Sequence, residues 1–137
     1  VFDAHDGAGI KLAGIMGIRS GLITGRDSPA TARRAKEMGV EFVFQGKPKK
    51  LESYQTILAS AGVTDEEVAY IGDDLPDLPL LERAGLAVAV ADAAVEVKRA
   101  AHYITTVPGG RGAAREVVEL ILKSQGKWKT AIPQAIA

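Results

Sequence analysis

The sequence of 137 residues has no cysteine, few aromatic residues and no excess of charge of either sign. Without cysteine, disulfide bonds and thiolate catalysis are excluded, which is compatible with a reducing compartment. Its 17 basic side chains balance 17 acidic ones, so there is no electrostatic case for nucleic acid or an anionic membrane as partner. No apolar run approaches the roughly 20 residues that span a bilayer, and no signal peptide is visible. We therefore expect a cytoplasmic protein.

Aliphatic residues must form the core, because 47% of the chain is hydrophobic but only 5% is aromatic. The length suits one domain. Strand and helix patterns alternate along the sequence, which predicts an α/β domain with a largely parallel sheet covered on both faces. We expect the core to occupy residues 1–126 and a tail to occupy 127–137.

Local signals set the expected element bounds. Val1 to Asp6 is expected to be an extended lead-in, with Asp6 capping the helix that follows. Ser28 and Pro29 predict the start of the second helix, and Gly39 its end. The expected strands cover 18–24, 41–45, 68–71, 86–90 and 103–105, and the expected helices cover 6–17, 28–39, 51–61, 76–84, 93–100 and 111–125.

An acidic turn follows the strand that ends near Ile71. Asp73, Asp74 and Asp77 lie within five residues, directly after Gly72. Mg²⁺ prefers oxygen ligands and takes one or two carboxylates plus waters and substrate phosphate, so this turn could hold the ion. Alternatively, these carboxylates cap the next helix and complement its dipole. The turn by itself leaves both interpretations open.

Two further strand ends carry polar signals. Thr24 offers a hydroxyl, and Gly25 would let an anion approach backbone N–H groups; the alternative is an ordinary tight turn. Lys50 begins a helix, where the dipole disfavours a cation, and this indicates a partner anion; the alternative is a solvated run of lysines. In parallel sheets such ends gather at one edge. An anion site, a cation and a Mg²⁺ ligand together suit phosphoryl transfer, which depends mainly on positioning and charge neutralisation.

These motifs resemble the haloacid dehalogenase superfamily of phosphohydrolases. Thr24, Lys50 and the segment from Gly72 to Asp77 resemble its second, third and fourth motifs. The match is closer to one cap-less branch, the 3-deoxy-D-manno-octulosonate 8-phosphate (KDO 8-phosphate) phosphatases. The matching segments are Phe2 to Gly7, Ile23 to Arg26, Gln45-Gly46, Val68 to Asp74, Val88 to Ala93 and Gly109 to Ala113. The resemblance implies a Rossmann-like three-layer sandwich with a mainly parallel sheet and no cap domain.

The resemblance also implies roles for the matching residues. Thr24 and Gly25 would hold the phosphoryl group, and Lys50 would neutralise its charge. Arg26 and Arg111 would contact the anion or the sugar acid. As for the metal, Asp73 would bind Mg²⁺, Asp77 would order the metal's waters, and Asp74 is a further candidate.

One part of the family pattern has no match in the sequence. The first motif, D-x-D-G-x-x-T-D, supplies the aspartate nucleophile. Asp3 and Asp6 are three apart, whereas alternation along a strand places residues two apart on one face. By resemblance, the first-motif strand lies between the strands that end at Thr24 and near Asp73. We therefore expect these two strands to be about two strand spacings apart, roughly 9 to 10 Å, without direct hydrogen bonds.

The resemblance implies a Mg²⁺-dependent phosphatase that acts on a small phosphorylated sugar acid, KDO 8-phosphate, in lipopolysaccharide precursor synthesis. By the same resemblance the enzyme is a homotetramer. The 137 residues alone are expected to be inactive, because no nucleophile is present. Two alternatives stay open: a phosphatase of a nine-carbon sugar acid phosphate, and a non-catalytic oligomerisation module of the same fold.

Overall fold

The computed structural model describes residues 4–47 and 49–136 of the chain, with side chains from Asp6 onward. Five short strands form two parallel sheets. The strands are β1 (Gly21–Thr24), β2 (Phe42–Gln45), β3 (Ala69–Gly72), β4 (Leu86–Ala89) and β5 (Tyr103–Ile104). The first sheet has the order β1-β2 and the second the order β3-β4-β5.

Seven helices accompany the strands in the described residues. They are α1 (Ala4–Ile15), α2 (Pro29–Met38), α3 (Lys50–Ala61), α4 (Leu78–Leu81), α5 (Val95–Ala100), α6 (Ala113–Ser124) and α7 (Trp128–Ile136). Helices α3, α4 and α5 pack on one another and on the strands, and α1 packs on α2, α6 and α7. This is the Rossmann-like α/β architecture that the sequence predicts.

Register brings the carboxyl ends of neighbouring strands level. Thr24 is opposite Gln45 in the first sheet, and Gly72 is opposite Ala89 in the second. Lys50 follows β2 and Asp77 follows β3, yet Lys50 Nζ lies 2.7 Å from Asp77 Oδ1. The carboxyl ends of both sheets therefore face the same side of the molecule.

No backbone hydrogen bond joins β1 to β3 in the part of the chain that the structure describes. This agrees with the expectation that the two strands are not direct neighbours. The spacing of about two strands stays a prediction.

The core consists of two aliphatic clusters. One surrounds β4, where Ala87, Val88 and Ala89 are fully buried, and includes residues of α4 and α5. The other joins α1, α6 and α7 through Leu12, Leu122 and other small or aliphatic residues. Small side chains on β4 let helices approach the sheet closely, so few aromatic residues are needed.

The start of the chain differs from the prediction. Residues 1–3 lie outside the described residues, but α1 begins at Ala4, so the extended lead-in to Asp6 is wrong from that point. The predicted cap is also wrong. The Asp6 carboxylate lies inside α1 and accepts instead from the backbone N–H groups of Gly112, Ala114 and Arg115 at the start of α6. A contact across more than 100 positions of sequence leaves no local signal.

The segment 127–137, which the sequence suggests as a tail, is mostly helical. Helix α7 covers Trp128–Ile136 and has Pro133 inside it. Its Ala131 is fully buried against α1 and α6, and Trp128 packs on the same cluster. Burial of one apolar face outweighs the weak helical propensity of this segment.

Two other helices are shorter than expected. The predicted helix 76–84 is a 3-10 turn, Leu75–Asp77, followed by a single turn of α4. Helix α6 begins at Ala113 rather than at Arg111, because Gly112 has a left-handed φ of 100°. None of the described helices is both long and apolar enough to cross a membrane.

Candidate active site

The acidic turn folds back on the end of β3. Gly72 is required there, because a Cβ on this residue would lie 2.8 Å from Cβ of Asp77. The absence of a side chain allows Asp77 to pack directly against the strand end, where it is only 2% exposed. The Gly-Asp-Asp-x-x-Asp spacing is therefore a way of placing one carboxylate beneath the turn.

Four donors hold the buried carboxylate of Asp77. Oδ1 accepts from Lys50 Nζ at 2.7 Å and from the Tyr70 hydroxyl at 2.6 Å. Oδ2 accepts from the backbone N–H of Asp73 at 2.9 Å and of Asp74 at 3.2 Å. A buried charge is stable only when it is paired and hydrogen-bonded, and Asp77 meets both conditions. Lys50 therefore has the partner anion that its helix-start position indicates.

These contacts determine the protonation states around the turn. Burial opposes ionisation of Asp77, but the bonds from Lys50, Tyr70 and the backbone outweigh it and lower the pKa of Asp77 to about 2. Burial and donation to Asp77 raise the pKa of Tyr70 far above its usual value, so the hydroxyl keeps its proton. Partial burial and the neighbouring Asp77 raise the pKa of Asp73.

The three carboxylates of the turn differ in their freedom to bind a ligand. Asp74 Oδ1 accepts from the N–H of Leu75 at 2.8 Å, so capping is confirmed for Asp74. The Asp77 carboxylate is fully engaged. Asp73 is exposed; no N–H or amine donor among the described residues is hydrogen-bonded to its carboxylate, which interacts with the neighbouring carboxylate of Asp77.

This donor set fits Mg²⁺ better than a metal that needs a cage of protein ligands. The described residues contain no group of three or more acidic or histidine side chains that could enclose an ion. One exposed carboxylate, with other carboxylates near it, suits a cation that keeps waters and takes its remaining ligands from a phosphate. Asp73 is the residue whose exposed carboxylate matches that requirement.

The turn after β1 has exposed backbone at its tip. Thr24 Oγ1 accepts from the N–H of Arg26 at 3.2 Å, and Gln45 Oε1 accepts from the N–H of Ser28 at 2.9 Å. Gly25 is exposed, and a Cβ there would meet nothing within 4 Å. Exposed backbone near a helix start is suited to an anion.

Arg26 and Arg111 are both exposed. Arg111 lies in the Gly-rich turn before α6 and lines an open cavity of about 370 Å³ with Thr106, Arg115, Glu116 and Glu119. The structure thus brings Lys50 to the acidic turn and places Thr24 at the matching end of the neighbouring sheet. It shows no direct contact from Thr24, Arg26 or Arg111 to Asp73 within the described ranges.

Sequence reasoning missed three residues around these turns. Tyr70 looked like a strand residue for the core, but its hydroxyl bonds Asp77. Gln45 bonds the turn after β1. Asp92 belongs to a segment that carries the resemblance, yet its bond to Gly109 was not foreseen. A polar group at a strand's carboxyl end, or within three residues after it, is the signal that could have identified Gln45 and Asp92.

The comparisons of sequence and of structure with known proteins agree on one family. Residues 26–116 match the model of the haloacid dehalogenase-like hydrolases. The chain is 42% identical over 135 residues to the 3-deoxy-D-manno-octulosonate 8-phosphate phosphatase of Escherichia coli, covering 98% of this chain and 72% of the relative.

Solved structures agree with the sequence comparison. The KDO 8-phosphate phosphatase of Yersinia pestis superposes with a TM-score of 0.92 at 43% identity, over 94% of this chain and 70% of that one. The Moraxella catarrhalis phosphatase, solved with magnesium, phosphate and KDO, gives a TM-score of 0.91 at 36% identity, over 98% and 83% of the two chains. The chain therefore belongs to the haloacid dehalogenase-like hydrolases, in the branch of the KDO 8-phosphate phosphatases.

Proposed function

We propose that this protein is a Mg²⁺-dependent phosphatase that hydrolyses KDO 8-phosphate to KDO and inorganic phosphate. The observation that carries the proposal is the Lys50–Asp77 ion pair, 2.7 Å long, beside the exposed carboxylate of Asp73. A cation, a buried anion and an available metal ligand at one turn are suited to neutralising a phosphate ester. The identity to phosphatases of this substrate, and the relative that binds KDO, support the substrate.

The role proposed for each residue follows from the exposure and the hydrogen bonds of its side chain. Asp73 would hold Mg²⁺, and the bound ion would neutralise charge on the phosphoryl oxygens. Lys50 would do the same from the other side, since Asp77 fixes its ammonium group. Asp77, whose two oxygens already accept four hydrogen bonds, would hold Lys50 and the turn in place rather than order the metal's waters. Asp74 would cap the turn. Thr24 and Gly25 would bind the phosphoryl oxygens through a hydroxyl and a backbone N–H.

The substrate's acidic end would be bound by arginine. Arg26 and Arg111 are exposed and carry planar guanidinium groups that match carboxylate and phosphate oxygens. Arg111 lies between two glycines with positive φ, Gly110 at 72° and Gly112 at 100°. The Arg111 side chain lies on the surface.

We further propose that the 137 residues do not by themselves supply the aspartate nucleophile. The absence of hydrogen bonds between β1 and β3, within the part of the chain described, is compatible with another strand between them. The isolated chain is then expected to be inactive. The active enzyme is expected to be a cytoplasmic homotetramer that acts in lipopolysaccharide precursor synthesis.

The decisive experiment replaces Asp73 by Asn in the full-length product of the gene. Phosphate release from KDO 8-phosphate should be Mg²⁺-dependent in the parent and should fall at least about a hundredfold in the variant, because a neutral amide binds Mg²⁺ poorly. Magnesium affinity measured by calorimetry should fall in parallel. Turnover that is unchanged in Asp73→Asn would refute the proposed site.

The matched control is Asp74→Asn, one residue further along the same turn. Asn caps helices as well as Asp does, so the fold should be retained. Activity close to that of the parent would restrict Asp74 to capping. If the parent enzyme hydrolyses a nine-carbon sugar acid phosphate faster than KDO 8-phosphate, the nine-carbon compound replaces KDO 8-phosphate as the proposed substrate. A parent that is inactive on every sugar phosphate, yet oligomeric by light scattering, would favour the non-catalytic module.

A further inference from the structure

The segment after β4 connects the acidic turn to the turn that carries Arg111. On one side, the N–H of Ala94 donates to the carbonyl oxygen of Asp73 at 2.9 Å. On the other side, Asp92 Oδ1 accepts from the N–H of Gly109 at 2.9 Å. Residues 92–94 therefore bond both turns directly.

Apart from the Asp92 bond at Gly109, the Arg111 turn is bonded to other elements of the described chain only at Gly112. Its sequence, from Pro108 to Gly112, contains three glycines, two of them with positive φ. Glycine has access to more backbone conformations than other residues, so the position of this turn depends on bonds from outside it. The N–H of Arg111 donates to Pro108 within the turn itself, so that bond cannot orient the turn relative to the rest of the protein.

Carboxylates from three separate elements bond this region. Glu116 accepts from the N–H groups of Thr106 and Val107 on the side that follows β5. Asp6 accepts from Gly112 and from the start of α6 on the other side. Asp92 is the one that bonds between these two ends, at Gly109, and it approaches from the loop that also contacts Asp73.

We propose that Asp92 is a positioning residue that sets the Arg111 guanidinium relative to the acidic turn, and through it the affinity for the acidic substrate. The inference rests on the proposed phosphatase function, and it adds a residue to which the resemblance gives no role. Asp92 does not touch the reacting atoms. It acts by fixing the distance between an anion-binding side chain and the turn where the phosphate is bound.

The test is a double-mutant cycle between Asp92 and Arg111 in the full-length enzyme. Asp92→Ala removes the Gly109 bond and should raise KM for KDO 8-phosphate about three- to tenfold with kcat nearly unchanged, the size expected for one hydrogen bond. Arg111→Ala should raise KM by at least as much. In the Arg111→Ala background, Asp92→Ala should have almost no further effect, because the two residues act as one unit.

Two further variants separate positioning from charge. Asp92→Asn keeps an oxygen that can accept from Gly109 and should restore KM to within about twofold of the parent. Glu96→Ala removes a nearby exposed acidic side chain with no hydrogen bond in the described residues and should leave KM unchanged. The backbone amides of Gly110 and Gly112 should become more mobile by NMR relaxation in Asp92→Ala alone.

The outcomes distinguish this inference from the function on which it rests. A parent enzyme without sugar-phosphate turnover overturns both. An active parent whose Asp92→Ala variant keeps its KM, or whose double variant shows simply additive effects, overturns the role of Asp92 and leaves the phosphatase intact. Asp92→Asn behaving like Asp92→Ala would also refute positioning through the Gly109 bond.

Discussion

Replacing Asp77 by Asn changes the charge at the centre of the acidic turn and almost nothing of its shape. The carboxylate is 2% exposed, and both of its oxygens accept from two donors each. In the Asp77→Asn variant, an NH₂ group replaces one of these two acceptors. Either the Lys50–Tyr70 side or the backbone side of the turn must then face a donor instead of an acceptor, and the Lys50 ammonium loses its counter-charge.

The cost can be estimated from the pKa of the group. The contacts lower the pKa of Asp77 from its ordinary 3.8 to about 2, and that difference corresponds to about 2 kcal/mol, since one pKa unit equals about 1.4 kcal/mol. Because the folded-state pKa is the lower one, this stabilisation is fully present above the unfolded-state pKa. It is lost as the pH falls from about 4 through about 2.

Urea unfolding in magnesium-free buffer with EDTA measures the effect. At pH 7, Asp77→Asn should be less stable than the parent by about 2 to 4 kcal/mol, and the difference should shrink steadily from pH 4 to pH 3. Asp74→Asn, in the same turn but exposed, should cost under about 0.5 kcal/mol at every pH. A loss of unfolding free energy below about 1 kcal/mol for Asp77→Asn at pH 7, or a loss that does not depend on pH, would refute the reasoning.

Two further predictions use matched pairs. Tyr70→Phe removes one donor to Asp77 and should lower kcat/KM of the full-length enzyme about tenfold. The control Tyr54→Phe loses a similar hydroxyl bond away from the turn and should cost about 1 kcal/mol of stability with turnover unchanged. Equal turnover in the two variants would contradict the role of Tyr70. Gly85→Ala would place a Cβ 2.3 Å from a backbone carbonyl oxygen and should destabilise by at least about 2 kcal/mol in urea unfolding. Gly14→Ala, in open space within α1, should stabilise by about 0.5 to 1 kcal/mol, and a loss of stability there would contradict the space argument.

Local chemistry made most of the fold predictable. Ser28 caps α2 through the N–H of Thr31, Pro29 is its first residue, and Gly39 ends it in the left-handed region, as the sequence indicates. Short apolar runs identified all five strands, although four of them are shorter than predicted. These features depend on neighbours within four positions, which is the range over which a sequence pattern carries information.

The features that escaped prediction depend on distant partners. Asp6 carries an acceptor that could cap its own helix, and only the packing of α1 on α6 shows that it caps the other one. The apolar residues of α7 are too few to predict a helix until α1 and α6 provide a surface for them.

The candidate site was likewise only partly predictable from the sequence. The sequence predicts Asp73, Lys50 and Thr24 as site residues from their type and position, and these roles stay predictions. The sequence leaves open whether the acidic turn is a cap or a metal site; the structure assigns capping to Asp74, whereas the Asp73 side chain is exposed. The contact of Tyr70 with Asp77 needed coordinates, because an aromatic residue on a strand is usually part of the core.

The cap that Asp6 provides to α6 also bears on how the chain folds during synthesis. Its partners emerge from the ribosome 106 or more residues later, and the helices that cover Leu12 and Ala13 are α6 and α7. The apolar side of α1 therefore stays exposed to solvent until α6 and α7 have been synthesised, when nearly all of this sequence has been translated. A nascent chain of this kind is exposed to chaperones and to aggregation for most of its synthesis, and it closes its second core only at the end.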